Sequence, residues 1–272
     1  MPEYRVIADA AGSATATALE EELGLPLSGR VTGETAFSAR LLFPAGKVAE
    51  PVPFTIQLSS DLEGLGIALP RPLGKDAADA IDLGVTIRMP KGADRVETTG
   101  VAGDLFSWRA TVARQDGLWD VDRGIVTFGD ETAADTVPDT RGLHLRGTTD
   151  YVHIRRWFEL GKESEGKFGT MERIRSVDMT VDNLHVLGQH LVDHRIRLDR
   201  SARDWHVAVE GAEVVASTVI PYDVNSGRPI IVDAERLILP GDDTEPDSEP
   251  AQVDPRTLPP ISPLSSNPSC RC

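Results

Sequence analysis

Large apolar residues recur at every second position through much of this chain, the period of a strand with one buried face. Phe37, Ala39, Leu41 and Phe43 alternate with Ser38, Arg40 and Leu42, and Val52, Phe54, Ile56 and Leu58 with Pro53, Thr55 and Gln57. Leu83, Val85, Ile87 and Met89 alternate with Gly84, Thr86 and Arg88. The pattern returns in Val177, Met179 and Val181, and again in Trp205, Val207 and Val209. One apolar and one polar face per strand predict an antiparallel sheet. Runs stop at Phe43-Pro44, Leu69-Pro70, Met89-Pro90, Ile220-Pro221 and Leu239-Pro240, because proline cannot donate to a ladder and belongs at strand ends. With turns such as Gln115-Asp116-Gly117, these stops describe a meander of short connections.

Helical spacing is sparse. Residues 17–23 carry Leu19 and Leu23 four apart and end at Gly24. Residues 151–160 place Ile154, Trp157 and Phe158 on one face, with Asp150 as a cap and Gly161 as a stop. Residues 75–81 could add one short turn. From Gly241 onward acidic residues mix with proline and serine, the composition of a disordered segment. The expected division is a β-rich body over residues 1–240 and an acidic, Pro/Ser-rich tail over residues 241–272.

Composition narrows the partners. Lys plus Arg number 28 against 43 Asp plus Glu, a net charge of −15. Nucleic acid needs a basic footprint, and anionic headgroups attract basic segments, so neither is an expected electrostatic partner. The chain has 2 cysteines, Cys270 and Cys272, which excludes a disulfide scaffold for the body. No run approaches the ~20 apolar residues of a membrane span.

Candidate chemistry is thin. His185, His190, Asp193 and His194 form the most metal-like cluster, and His190 and His194 have the i, i+4 spacing of helical ligands. Leu191 stands where a zinc protease would place its glutamate. On a strand the two histidines would lie about 13 Å apart, so polar-face histidines are expected and no metal site. Cys270-Arg271-Cys272 is a weak two-ligand pair. His153 and Trp157 are four apart and are expected to pack. Asp120 with Asp122, and Asp178 with Asp182, could serve a carboxylate-dependent hydrolase, but a solvated strand face explains them as well. No nucleophile elbow, phosphate loop or dinucleotide fingerprint is present. The chain is expected to be no enzyme and to use no cofactor.

The stretch "SSDLEGLGIALPRPLGK", beginning at Ser59, sets Leu65, Ile67 and Leu69 against Gly64, Gly66 and Ala68, which predicts a strand with a thin outer face or a bend. A sheet with one apolar face must cover it with a second sheet, helices or a ligand, so a closed sandwich and an open groove both fit. This stretch resembles the Ser-Asp-Leu-x-Gly-Leu-x-x-x-Leu-Pro-x-Pro-Leu-Gly-Lys signature of the YhdP branch of AsmA-like bacterial envelope proteins. "LEEELGLPLSGRVTGETAFSARLLFP", "RSVDMTVDNLHVLGQHLVDHRIRLDRSARDWHVAVEGAEVVASTVIPYDV", "ERLILP" and "DPRTLPPI" extend the resemblance over residues 15–261.

The resemblance implies a mainly β fold: an extended, twisted antiparallel sheet curved into a hydrophobic groove, with two or three short helices. It implies a periplasmic segment, tethered to the inner membrane in the full-length protein by an anchor missing here. The chain would be a fragment of the family's C-terminal half, whose continuation after Ile261 is replaced by "SPLSSNPSCRC". The implied function is non-enzymatic phospholipid transfer and maintenance of the outer-membrane permeability barrier, with acyl chains as the partner. The groove candidates are Phe37, Leu41, Phe54, Ile56, Leu58, Leu65, Ile67, Leu69, Val85, Ile87, Val177, Met179, Val181 and Val207. A structural or protein-interaction β-domain of the envelope is the alternative.

Overall fold

The computed structural model describes residues 4–23, 29–45, 52–92, 94–115, 118–129, 136–163, 173–222 and 227–238. The chain begins with β1 (Tyr4–Thr15), α1 (Ala16–Leu23), β2 (Val31–Pro44), β3 (Phe54–Ser60) and β4 (Leu65–Ile67). An antiparallel meander follows: β5 (Leu83–Met89), β6 (Arg95–Ala102), β7 (Phe106–Gln115) and β8 (Leu118–Phe128). Then come β9 (Gly142–His153), α2 (Ile154–Glu163), β10 (Ile174–Val186), β11 (Gln189–Arg200), β12 (Asp204–Glu210), β13 (Val214–Pro221) and β14 (Ile231–Leu237).

All the strands but β4 form a single path in chain order, β1-β2-β3-β5 and onward to β14, while β4 pairs with β2 beside it. The sheet is long, curved and not closed, and helices contribute little. Ladders are antiparallel except on the two sides of β9, which runs parallel to β8 and to β10. A parallel pair needs a crossover of a dozen or more residues, and α2 supplies part of the one from β9 to β10. The hydrophobic alternation gave no sign of this reversal, because both ladder types bury every second residue.

The predicted helices shift at their ends. Thr15 caps α1 by accepting a hydrogen bond from the Ala18 N–H at 3.2 Å, so the helix starts at Ala16. Tyr151, Val152 and His153 belong to β9, where they pair with Asn183, Leu184 and His185, so α2 starts at Ile154 and runs through Gly161. Asp150 is a strand residue and not a cap. Residues 75–81 form turns, not a helix, and Val52, Pro53 and Leu69 lie just outside strands. The Asp116-Gly117 turn, the Leu239-Pro240 stop, the tail and both cysteines lie outside the described residues.

Only eleven hydrophobic residues are buried among those described, and three of them are Ala16, Ala102 and Ala110. That is too few for a two-layer interior. The largest cluster gathers Val181, Leu184, Leu191 and Val214 around the β10–β11 hairpin. Its anchor is local: His194 is fully buried with Nδ1 bonded to the Val192 carbonyl at 2.8 Å, and Glu213 lies 3.6 Å from Nε2.

Candidate functional site: the apolar face and its strap

Cross-strand register carries one row of side chains over the entire path. Ala10 faces Ala39, Ala39 faces Leu58, Leu58 faces Val85, and Val85 faces Gly100. The row continues through Trp108, Val126 and Leu145. Val177, Leu198, Val207, Thr218 and Val232 complete it. Thr218 is its single polar side chain. One residue further along each strand the row reads Asp9, Arg40, Gln57, Thr86, Thr99, Arg109, Ile125, His144, Ser176, Asp199, His206, Val219 and Ile231. Because alternate residues point to opposite faces, one face is apolar and the other mostly polar from edge to edge. Twelve inter-strand steps of about 4.8 Å make the apolar row roughly 58 Å long.

The polar face is tied by ion pairs between neighbouring strands. Arg40 Nε donates to Asp9 at 2.7 Å, Arg195 grips Asp178 with two bonds of 2.7 Å, and Arg197 reaches Glu210 at 2.9 and 3.0 Å. The hydrogen bond from Arg195 holds the Asp178 carboxyl below its usual range. His144 bonds Ser176 at 2.7 Å and Thr140 at 2.9 Å, and burial pushes its pKa down.

On the apolar face every row member from Ala39 to Thr218 is half-buried, and none is sealed. Trp108 lies flat over Gly100, where an added Cβ would come 2.1 Å from the ring. Phe106 sits 6.0 Å from Trp108 and 5.8 Å from Phe128, an aromatic patch at the rim where β8 ends. Phe43 and Phe54, 4.8 Å apart, mark the opposite rim.

The groove candidates separate into three groups. Phe37, Leu41, Phe54, Ile56, Leu58, Val85, Ile87, Val177 and Val207 share the half-buried apolar face through their register. Met179 and Val181 point to the same side but are 8% and 1% exposed, packed opposite Ile196 and His194, so they offer a ligand little or no surface. Leu65, Ile67 and Leu69 lie instead in a strap over residues 61–82, which leaves the sheet after β3 and returns at β5.

The strap explains the glycine spacing. A Cβ on Gly33 would come 2.0 Å from the Gly64 carbonyl oxygen, and one on Gly64 would come 2.2 Å from that of Glu34. Both residues have φ near +90°, so the strap can come this close to β2 only where both lack side chains. Leu65, which pairs with Gly33, is buried. Lys75 pairs with Ile67, and its buried ammonium donates to the carbonyls of Leu65 at 2.8 Å and Asp76 at 3.0 Å. At the far end Arg71 meets Asp150 of β9 at 3.1 Å, and Trp157 of α2 donates to the Arg71 carbonyl at 3.3 Å. Ile67 and Leu69 line a cleft of about 1230 Å³ between strap and strand ends, shared with Leu105, Thr149 and Asp150.

The chemical candidates are dispersed or already engaged. His153, His185 and His190 stack with centroids 5.6 and 4.6 Å apart, and parallel rings do not converge their nitrogens on one ion. His190 bonds Asn183 at 3.0 Å, while His194 is turned into the core. Among the described residues no three His, Cys, Asp or Glu side chains are arranged to hold a metal. Asp120 is bound to Arg173 at 2.8 Å and Asp122 to Arg141 at 2.7 Å, the latter bond holding Asp122 below the usual carboxylate range. Trp157 donates to the strap at the Arg71 carbonyl. Sequence reasoning missed the arginines around Asp122, although the "RIR" beginning at Arg173 was a visible signal.

Among the described residues no helix is long and apolar enough to cross a membrane. No curated protein and no solved structure matches the chain. Residues 1–263 match the family described as YhdP protein, a span that includes the strap and all fourteen strands. The chain belongs to the YhdP family.

Proposed function

We propose that this chain is a non-enzymatic segment of a lipid conduit, in which phospholipid acyl chains lie along the apolar face on their way between the inner and outer membranes. Membership of the YhdP family, which is associated with the envelope, suggests lipid transport at the level of the family. The observation that carries the finer reading is the unbroken row from Ala10 to Val232, half-buried over most of its length. An uncovered aliphatic face costs free energy in water, at about 25 cal/mol per Å². A tail of ~16 carbons laid on it recovers on the order of 12 kcal/mol, at about 0.8 per methylene. That attraction has no direction, so a tail can slide from one strand to the next without leaving a specific pocket. The full-length protein would place this segment in the periplasm, tethered to the inner membrane.

Mass spectrometry of the purified chain should detect bound phospholipid, and delipidated protein should take up labelled phospholipid. Lipid-free protein that takes up none contradicts the proposal. A second reading, an envelope interaction domain, is favoured by the outermost strands of the sheet. Among the described residues β1 and β14 each pair on one side, and every residue of β14 is exposed. A protein partner captured at an edge by the lipid-free chain would support that reading.

A further inference from the structure

We propose that the arginine-lined cavity at the start of β9 and β10 binds a phosphate group, which under the conduit reading is the headgroup phosphate of a bound phospholipid. The cavity holds about 320 Å³ and is lined by Arg141, Arg173, Arg175 and Arg200 with Val121, Asp122, Gly142 and Ile174. Four arginines lining one cavity is unexpected in a chain with a net charge of −15.

Local pairing does not cancel this charge. Asp122 takes Arg141 at 2.7 Å and Arg123 at 3.6 Å, Asp139 shares Arg123 at 3.6 Å, and Asp120 takes Arg173 at 2.8 Å. Arg141, Arg123 and Arg173 thus share three carboxylates. Arg175 forms no ion pair among the described residues, and Arg200 is held over the rings of Trp205 and Tyr222 at 5.4 and 4.9 Å. Planar guanidinium forks match phosphate oxygens in pairs, and rigid placement lowers the cost of ordering them.

The backbone is shaped around this point. The β7–β8 register slips between Thr111 and Val112, leaving Asp122 as the extra residue, and the β9–β10 register slips between Ile174 and Ser176, leaving Arg175. Such bulges re-aim side chains and gather next to binding sites. Gly142, at φ +107°, lets the β9 backbone approach the Arg173 carbonyl, where a Cβ would come within 2.7 Å.

Two residues that line the cavity belong to the apolar side by register. Val121 pairs with Val112, and Ile174 pairs with Leu143, which faces Gly124 on the apolar side. A lipid tail occupies about 15 Å, half of a bilayer's hydrocarbon thickness, or roughly three inter-strand steps of about 4.8 Å. A phosphate among the arginines would therefore leave its tails to cross neighbouring strands on the apolar face.

The test measures binding of three probes to the purified full chain by calorimetry: dihexanoyl phosphatidic acid below its micelle concentration, dihexanoylglycerol, and inorganic phosphate. The phosphate-bearing lipid should bind at least tenfold more tightly than the diacylglycerol. Arg175→Gln should erase that difference and leave diacylglycerol affinity unchanged, while Arg175→Lys should restore part of it. Equal affinity for both lipids in the wild type overturns the phosphate site and leaves the conduit standing. Failure of both lipids to bind overturns the conduit and the headgroup assignment together. In that case, inorganic phosphate binding that is lost in Arg175→Gln supports a site for free phosphate, and its failure to bind overturns the site itself.

Discussion

Replacing Ile56 with Asp puts a carboxylate on the apolar face, between Leu41 of β2 and Ile87 of β5. A tail about 15 Å long crosses roughly three inter-strand steps of about 4.8 Å. If ~16 carbons contribute about 12 kcal/mol, each strand's share is about 4 kcal/mol. A carboxylate must keep its water, so the tail forfeits that share wherever it crosses β3. At about 1.4 kcal/mol per decade, local occupancy falls by about three orders of magnitude. The uninterrupted strands from β5 to β14 remain available, so total lipid content should fall only modestly. The assay is an environment-sensitive fluorophore on Leu41→Cys, with Cys270 and Cys272 replaced by Ser. Its lipid-dependent shift should vanish with Ile56→Asp and persist with Gln57→Asp, which places the same charge one residue along on the polar face. An unchanged shift in Ile56→Asp would refute the reasoning.

Gly211→Ala should cost about 1–3 kcal/mol of stability through overpacking, read as a lower urea midpoint, because the new Cβ would lie 2.3 Å from the buried His194 ring. Gly33→Ala should free the strap, read as faster proteolysis within residues 64–75 while the strand signal in circular dichroism is retained. The depressed pKa values of Asp122 and Asp178 contribute stability that is present above the ordinary carboxyl value of 3.8 and lost as pH falls through the lower folded values. Asp178→Asn should flatten that acid limb of a denaturation series. The depressed pKa of His144 has the same sign at higher pH: stability falls as pH drops below its ordinary 6.5, and His144→Gln should remove the slope.

What could be read from the sequence was whatever depends on alternation. The Leu83–Met89 strand, the shared face of Ile56 with Val85, and the open curved sheet followed from period-two spacing together with the family resemblance. Alternation carries no information on strand direction, so the parallel pairs around β9 were hidden. Helical spacing and the apparent Asp150 cap favoured a helix from Tyr151, where pairing with Asn183 to His185 keeps three more residues extended. The glycines of the strap looked like a thin strand face. Their cause is the mutual approach of Gly33 and Gly64, which are 31 residues apart and joined only by the fold. The arginine cavity escaped for the same reason: Arg141, Arg175 and Arg200 come from three separate segments. Val181 had the right parity for the groove, but parity does not reveal that it is buried opposite the equally buried His194.

The most direct test of the lipid-bearing face is a phospholipid with a photoreactive group in its acyl chain, bound to the purified protein, irradiated and mapped by peptide mass spectrometry. The account predicts adducts at Leu58, Val85, Val126 and Val207 and their row neighbours, with Gln57, Thr86 and His206 unlabelled. Adducts spread equally over both faces, or confined to the strand edges, would contradict it.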